Sequence, residues 1–95
     1  MEKKESCRIA LIGIIVEDEN AVARLNAVLH DAARHIIGRM GVPCRRRGVC
    51  VISVAVDAPQ DVISSLSGKL GMIDGVSVKT VYSRHISGTE EEQPI

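Results

Sequence analysis

From Cys7 to Glu17 the chain reads CRIALIGIIVE, and the residues are apolar at both parities. Ile9, Leu11 and Ile15 fall on one face of an extended strand, and Ala10, Ile12, Ile14 and Val16 on the other. A strand apolar on both faces predicts burial on both, hence a central place in a sheet. VCVISVAVD, Val49 to Asp57, has the same character and predicts a second central strand. Between them, Val22, Leu25, Leu29, Ala32 and Ile36 recur at steps of three and four. That spacing predicts one apolar stripe on a helix running to about Arg34, with Asn20 as its N-cap. Val62, Ile63, Leu66, Leu70 and Ile73 predict a second helix, opened by Pro59 in its first turn and closed at Gly71.

Two weaker segments complete the pattern. HIIGRMGV, His35 to Val42, is short, broken by glycine and carries charge, which suits an edge strand. PCRRRG turns the chain after it. VSVKTVYS, Val76 to Ser83, alternates and carries Lys79, so it too is expected at an edge. Residues 1–84 are read as one domain, and 85–95 as a polar, disordered tail. A faint repeat at an offset of forty links VEDENAV (Val16 to Val22) with VDAPQDV (Val56 to Val62). The order β-α-β-β-α-β in two halves predicts an α+β, ferredoxin-like fold. It has a four-stranded antiparallel sheet with two helices on one face.

Two helices cover one face of such a sheet, yet the central strands are apolar on both. The uncovered face would be a large apolar patch, and a second copy of the chain is its simplest cover. A homo-oligomer, dimer or tetramer, is therefore expected, joined through the sheet face or the edge strands.

Composition narrows the function. Twelve basic residues balance twelve acidic ones, and Tyr82 is the one aromatic residue. A neutral chain without stacking platforms makes direct nucleic-acid binding an unfavoured reading. The chain reads as soluble and cytoplasmic, with no membrane association: its apolar run is too short to span a bilayer, and nothing resembles a signal peptide. Three cysteines without CxxC spacing are expected as free thiols. No nucleophile–base pair or phosphate loop stands out, so the chain is read as non-enzymatic. No cofactor is required by the sequence, and none is named by it.

Three groups of residues could carry chemistry. Arg45, Arg46 and Arg47, joined by Arg39, could hold a carboxylate or phosphate; the plainer alternative is a solvated, charged turn. Cys44 and Cys50 would face each other if the hairpin turns near Arg46 to Gly48. They are then weak candidates for a shared metal, with His35 or His85 as distant further ligands. Gly38 and Gly41 could let a ligand or a neighbouring backbone approach the edge strand; equally, they could only permit twist or a bulge.

RIALIGIIVED, IIGRMGVP, GVCVISVAVDAPQDVISSLSGKLG and GVSVKTVYS together resemble the small family of regulators of the iron-only hydrogenase system. That family is similar to ACT-like domains and to the C-terminal domain of nickel-responsive repressors. The resemblance implies an ACT-like, oligomeric, ligand-sensing module acting through a partner, such as a hydrogenase-maturation protein. It also implies an effector site walled by Glu17, Asp18 and Asn20 of the first strand-to-helix loop and by Gly38, Arg39 and Gly41. Two alternatives stand beside it: an interaction scaffold without a ligand, and a direct nucleic-acid-binding regulator. The second is weakened because the six elements leave no residues for a helix-turn-helix or an N-terminal ribbon.

Overall fold

The structure, a computed structural model, describes residues 6–86. Its elements are β1 (Cys7–Val16), a 3₁₀ turn (Glu19–Ala21), α1 (Val22–Asp31), a second 3₁₀ turn (Ala33–His35), β2 (Ile36–Cys44), β3 (Val49–Pro59), α2 (Gln60–Gly71) and β4 (Val76–Ile86). The strands form one antiparallel sheet in the order β2-β3-β1-β4, so the two doubly apolar strands are central.

Strand alternation sorts the side chains. Ala10, Ile12, Ile14 and Val16 of β1 and Ile52, Val54, Val56 and Ala58 of β3 point to the helix side and are buried. There they meet Leu25 and Leu29 of α1 and Ile63, Leu66 and Leu70 of α2. Burying a side chain of this size contributes roughly 1.5–3 kcal/mol, and these residues form one continuous core. On the polar side of that core, the Ser67 and Thr80 hydroxyls share a hydrogen bond of 2.8 Å, linking α2 to β4.

Several boundaries differ from the sequence expectation. Asp18, not Asn20, caps the first helical segment: its Oδ1 accepts from the Asn20 N–H at 2.9 Å. The continuous helix expected from Asn20 to Arg34 is an α-helix of ten residues with a tighter 3₁₀ turn on either side. Pro59 ends β3 in an extended conformation and occupies the N-cap position of α2. A ring that fixes φ near −65° suits either place, so pattern alone could not choose between them. Gly71 is the last residue of α2 itself, and the chain leaves through Met72 with ordinary negative φ. β4 continues to Ile86, pairing with Arg8, so its backbone takes in the first two residues of the expected tail. Residues 87–95 lie outside the described part of the chain.

A bulge interrupts β2. Ile36 pairs with Val56 and Gly38 with Ala55, which leaves Ile37 as the extra residue. Ile36 thereby keeps its place beside the core, while Gly38, Met40 and Val42 turn to the open face.

The α2–β4 turn is fixed against the β1–α1 loop. The Glu17 N–H donates to the Gly75 carbonyl at 2.7 Å. Gly75 has φ +83°, and a Cβ placed on it would stand 2.6 Å from the Asp18 Cβ. Both facts require glycine. Gly75→Ala is expected to destabilise the fold by about 1–3 kcal/mol in chemical denaturation. Asp18→Ala is expected to cost about 1 kcal/mol through loss of the cap. Asn20→Ala should stay within about 0.5 kcal/mol of the parent, since the side chain of Asn20 does not cap.

Candidate functional site

The residues singled out from the sequence divide between three places. Glu17, Asp18 and Asn20 lie where β1 ends, beside the β2–β3 hairpin, because Val16 pairs with Cys50. A cleft of about 190 Å³ joins the two segments there, with Glu19 and Val22 on one wall and Pro43, Cys44, Arg45 and Cys50 on the other.

The hairpin closes with Cys44 paired to Val49, so Arg45, Arg46, Arg47 and Gly48 form its loop. The N–H groups of Arg47 and Gly48 both donate to the Cys44 carbonyl, at 3.2 and 2.9 Å, and Gly48 takes φ +69°. The three arginines are exposed at the tip. This register corrects the expected pairing of Cys44 with Cys50. Pro43 is the residue opposite Cys50, and the offset of one position sends the two cysteines to opposite faces. Both border the cleft as free thiols, but they do not form a cross-strand pair. Among the described residues no three His, Cys, Asp or Glu side chains gather closely enough to hold a metal ion. His35 lies at the far end of α1, and the side chain of His85 lies outside the described residues.

The GRMG segment lies elsewhere. Arg39 pairs with Val54, which in turn pairs with Ile12. Glu17 lies five positions beyond Ile12, and β3 intervenes laterally, so Arg39 and the β1–α1 loop are roughly 20 Å apart. One protomer does not bring together the two walls expected from the family resemblance. Nor does Arg39 join Arg45, Arg46 and Arg47, which sit about 20 Å along the strand at its end.

Alternation splits GRMG itself. Gly38 and Met40 look to the open face, and Gly41 and Arg39 to the helix side. There the Arg39 Nη2 donates to the Asn26 Oδ1 at 2.8 Å. Asn26, Leu29, His30, Ala33, Ile36 and Arg39 line a second, open cleft, of about 490 Å³, between α1 and the β2 edge. Pattern reading passed over Asn26 and His30. The signal available was their i, i+4 spacing along the polar flank of the stripe that buries Leu29. A third cleft, of about 370 Å³, runs between the helices over Val28, Ala32, Val62 and Leu66. Asp31, His35, Asp61 and Lys69 stand around it.

The other extended feature is the open face of the sheet. Ile9, Leu11 and Ile15 of β1, Met40 and Val42 of β2, Val51 of β3 and Val81 of β4 are each between 40% and 65% exposed. Gly13 leaves its centre flat, with Ser53 and Lys79 on either side. No described helix is long and apolar enough to cross a membrane.

No curated protein matches the sequence. Among solved structures, the uncharacterized protein TM1266 from Thermotoga maritima is 38% identical. It superposes with a TM-score of 0.77, over 80% of this chain and 96% of that one. The model of the TM1266-like family, described as "Iron-only hydrogenase system regulator, putative", matches residues 8–80. That match takes in β1 except Cys7, all of β2 and β3, both helices and the first five residues of β4, so the chain belongs to the TM1266-like family so described.

Proposed function

We propose that this protein is a homo-oligomeric regulatory module of the iron-only hydrogenase system that senses a small ligand and acts through a protein partner. The observation that carries the reading is the apolar open face. Four strands at about 4.8 Å spacing and ten residues at about 3.3 Å each give it a flat area of roughly 600 Å². Accessible surface exceeds a flat projection, so pairing two such faces approaches the roughly 800 Å² per partner of a stable interface. Side chains that are Ile, Leu, Val and Met suit a permanent contact better than a transient one.

Pairing through the β2 edge is the weaker route. Pro43 brings no N–H to a new ladder, and the bulge at Ile37 distorts the other end of the strand. Only the segment between them remains regular.

The regulatory part of the proposal rests on the family's description, and the sensing part on the three clefts. A maturation protein of the hydrogenase is the expected partner, and the exposed Arg45–Arg47 tip is a suitable contact for an acidic surface on it.

Multi-angle light scattering at micromolar concentration is expected to give a dimer or tetramer. Leu11→Lys and Val51→Lys, each placed on a surface already exposed in the protomer, should yield a folded monomer with an unchanged circular dichroism spectrum. A monodisperse wild-type monomer would refute the oligomer. Partner capture should depend on the tip: replacing all three arginines with glutamine is expected to weaken retention of a hydrogenase-maturation protein without altering oligomeric state.

A further inference from the structure

We infer that the cleft between α1 and β2 binds a small carboxylate with an apolar body, gripped by Arg39. Arg39 donates a hydrogen bond to Asn26 across the mouth of the cleft. Arg39 is a long, exposed side chain on an edge strand, and such a side chain ordinarily samples many rotamers. Here the 2.8 Å bond holds the guanidinium against α1. A guanidinium has five N–H groups, so at least four remain for another acceptor, in a planar fork that matches a carboxylate.

The same bond orients Asn26. An arginine can only donate, so the amide atom facing it is the oxygen, and the Asn26 Nδ2 is left as a further donor. His30, one turn along α1, adds a ring nitrogen that can donate. No aspartate or glutamate is among the described residues around the cleft. Its polar rim therefore offers donors and a positive charge, with no carboxylate to compete.

The remaining walls are Leu29, Ala33 and Ile36. A bare phosphate would leave them unused and would have one fixed cation to meet two charges. A monocarboxylate with four to six carbons uses both halves: the fork takes the carboxylate and the aliphatic wall takes the chain. The inter-helix cleft lacks this polarity, because Asp31 and Asp61 share its rim with Lys69 and His35.

This site names the ligand class for the sensing module proposed above and takes its biological meaning from that reading, but its lining residues all belong to one protomer, so binding is measurable whatever the oligomeric state. The probe is sodium hexanoate, with hexylamine, hexanol and acetate as controls, followed by amide chemical shifts and thermal melting. Hexanoate is expected to raise the melting temperature, since it binds only the folded chain. It should shift amides of α1 and β2, with acetate much weaker and the amine and alcohol without effect. Arg39→Met should weaken binding by about tenfold or more. Asn26→Ala keeps the charge but frees the guanidinium, and it should weaken binding by a smaller factor. Both side chains are exposed, and unchanged dichroism will confirm the fold. Equal binding of hexylamine, undiminished binding to Arg39→Met, or no effect of hexanoate would each overturn the inference. Light scattering on the same samples separates the two proposals: a monomer that binds hexanoate sinks only the oligomer, and an oligomer that ignores it sinks only the site.

Discussion

A four-stranded sheet has two faces, and a chain with two helices covers one of them. In this protein both central strands are apolar at every parity, so the covered face becomes the core and the other remains a hydrophobic plane. The remaining features are arranged around that asymmetry. The helices lie where they can bury Ile12, Ile14, Val54 and Val56, and the clefts with charged rims form on their side of the sheet. The opposite side carries Ser53, Asp57, Ser77 and Lys79 among a majority of aliphatic residues, which is little polar surface for a face meant to stay wet.

Much of this was legible in the sequence because period and parity are strong signals. Strand order followed from which segments were doubly apolar, and the helices from stripes such as Leu25–Leu29 and Ile63–Leu66–Leu70. What was not legible turned on single residues. The hairpin shows why. A loop of four residues after Cys44 sets Val49, rather than Cys50, opposite it, and with a side-chain period of two that shift exchanges the faces. RRRG is compatible with several turn lengths, so the register could not be read from composition. The bulge at Ile37 is a similar case: it lets Ile36 remain with the core while Met40 and Val42 face out, and a plain alternation across IIGRMGV does not contain it.

The candidate site was legible only in part, for a related reason. The β1–α1 loop and the Cys44–Cys50 hairpin do meet, since both lie at the same end of the sheet. Arg39 does not join them, because its distance from the loop is set by strand register and by the intervening β3, neither of which sequence spacing reveals. Its actual neighbour, Asn26, is thirteen residues away in sequence and comes close only when α1 packs back across the sheet. Asn26 carries no distinctive motif. It becomes meaningful when a donor-only side chain is found pointing at it.

GRMG gathers these threads in four residues. The backbone alternates, so Gly38 and Met40 belong to the apolar plane and Arg39 and Gly41 to the helix side. A partner resting on Met40 and a carboxylate held by Arg39 would act on adjacent residues of one strand from opposite faces. A ligand alters assembly only to the extent that it binds the assembled and free forms with different affinity, and assembly must then alter ligand affinity by the same factor. The strand offers a short physical route for such coupling: a change in its tilt or in the bulge at Ile37 would move Arg39 and Met40 together. β2 is also freer to move than the central strands, because, like β4 at the other edge, it is held by a ladder on one side only, whereas β1 and β3 are held on both.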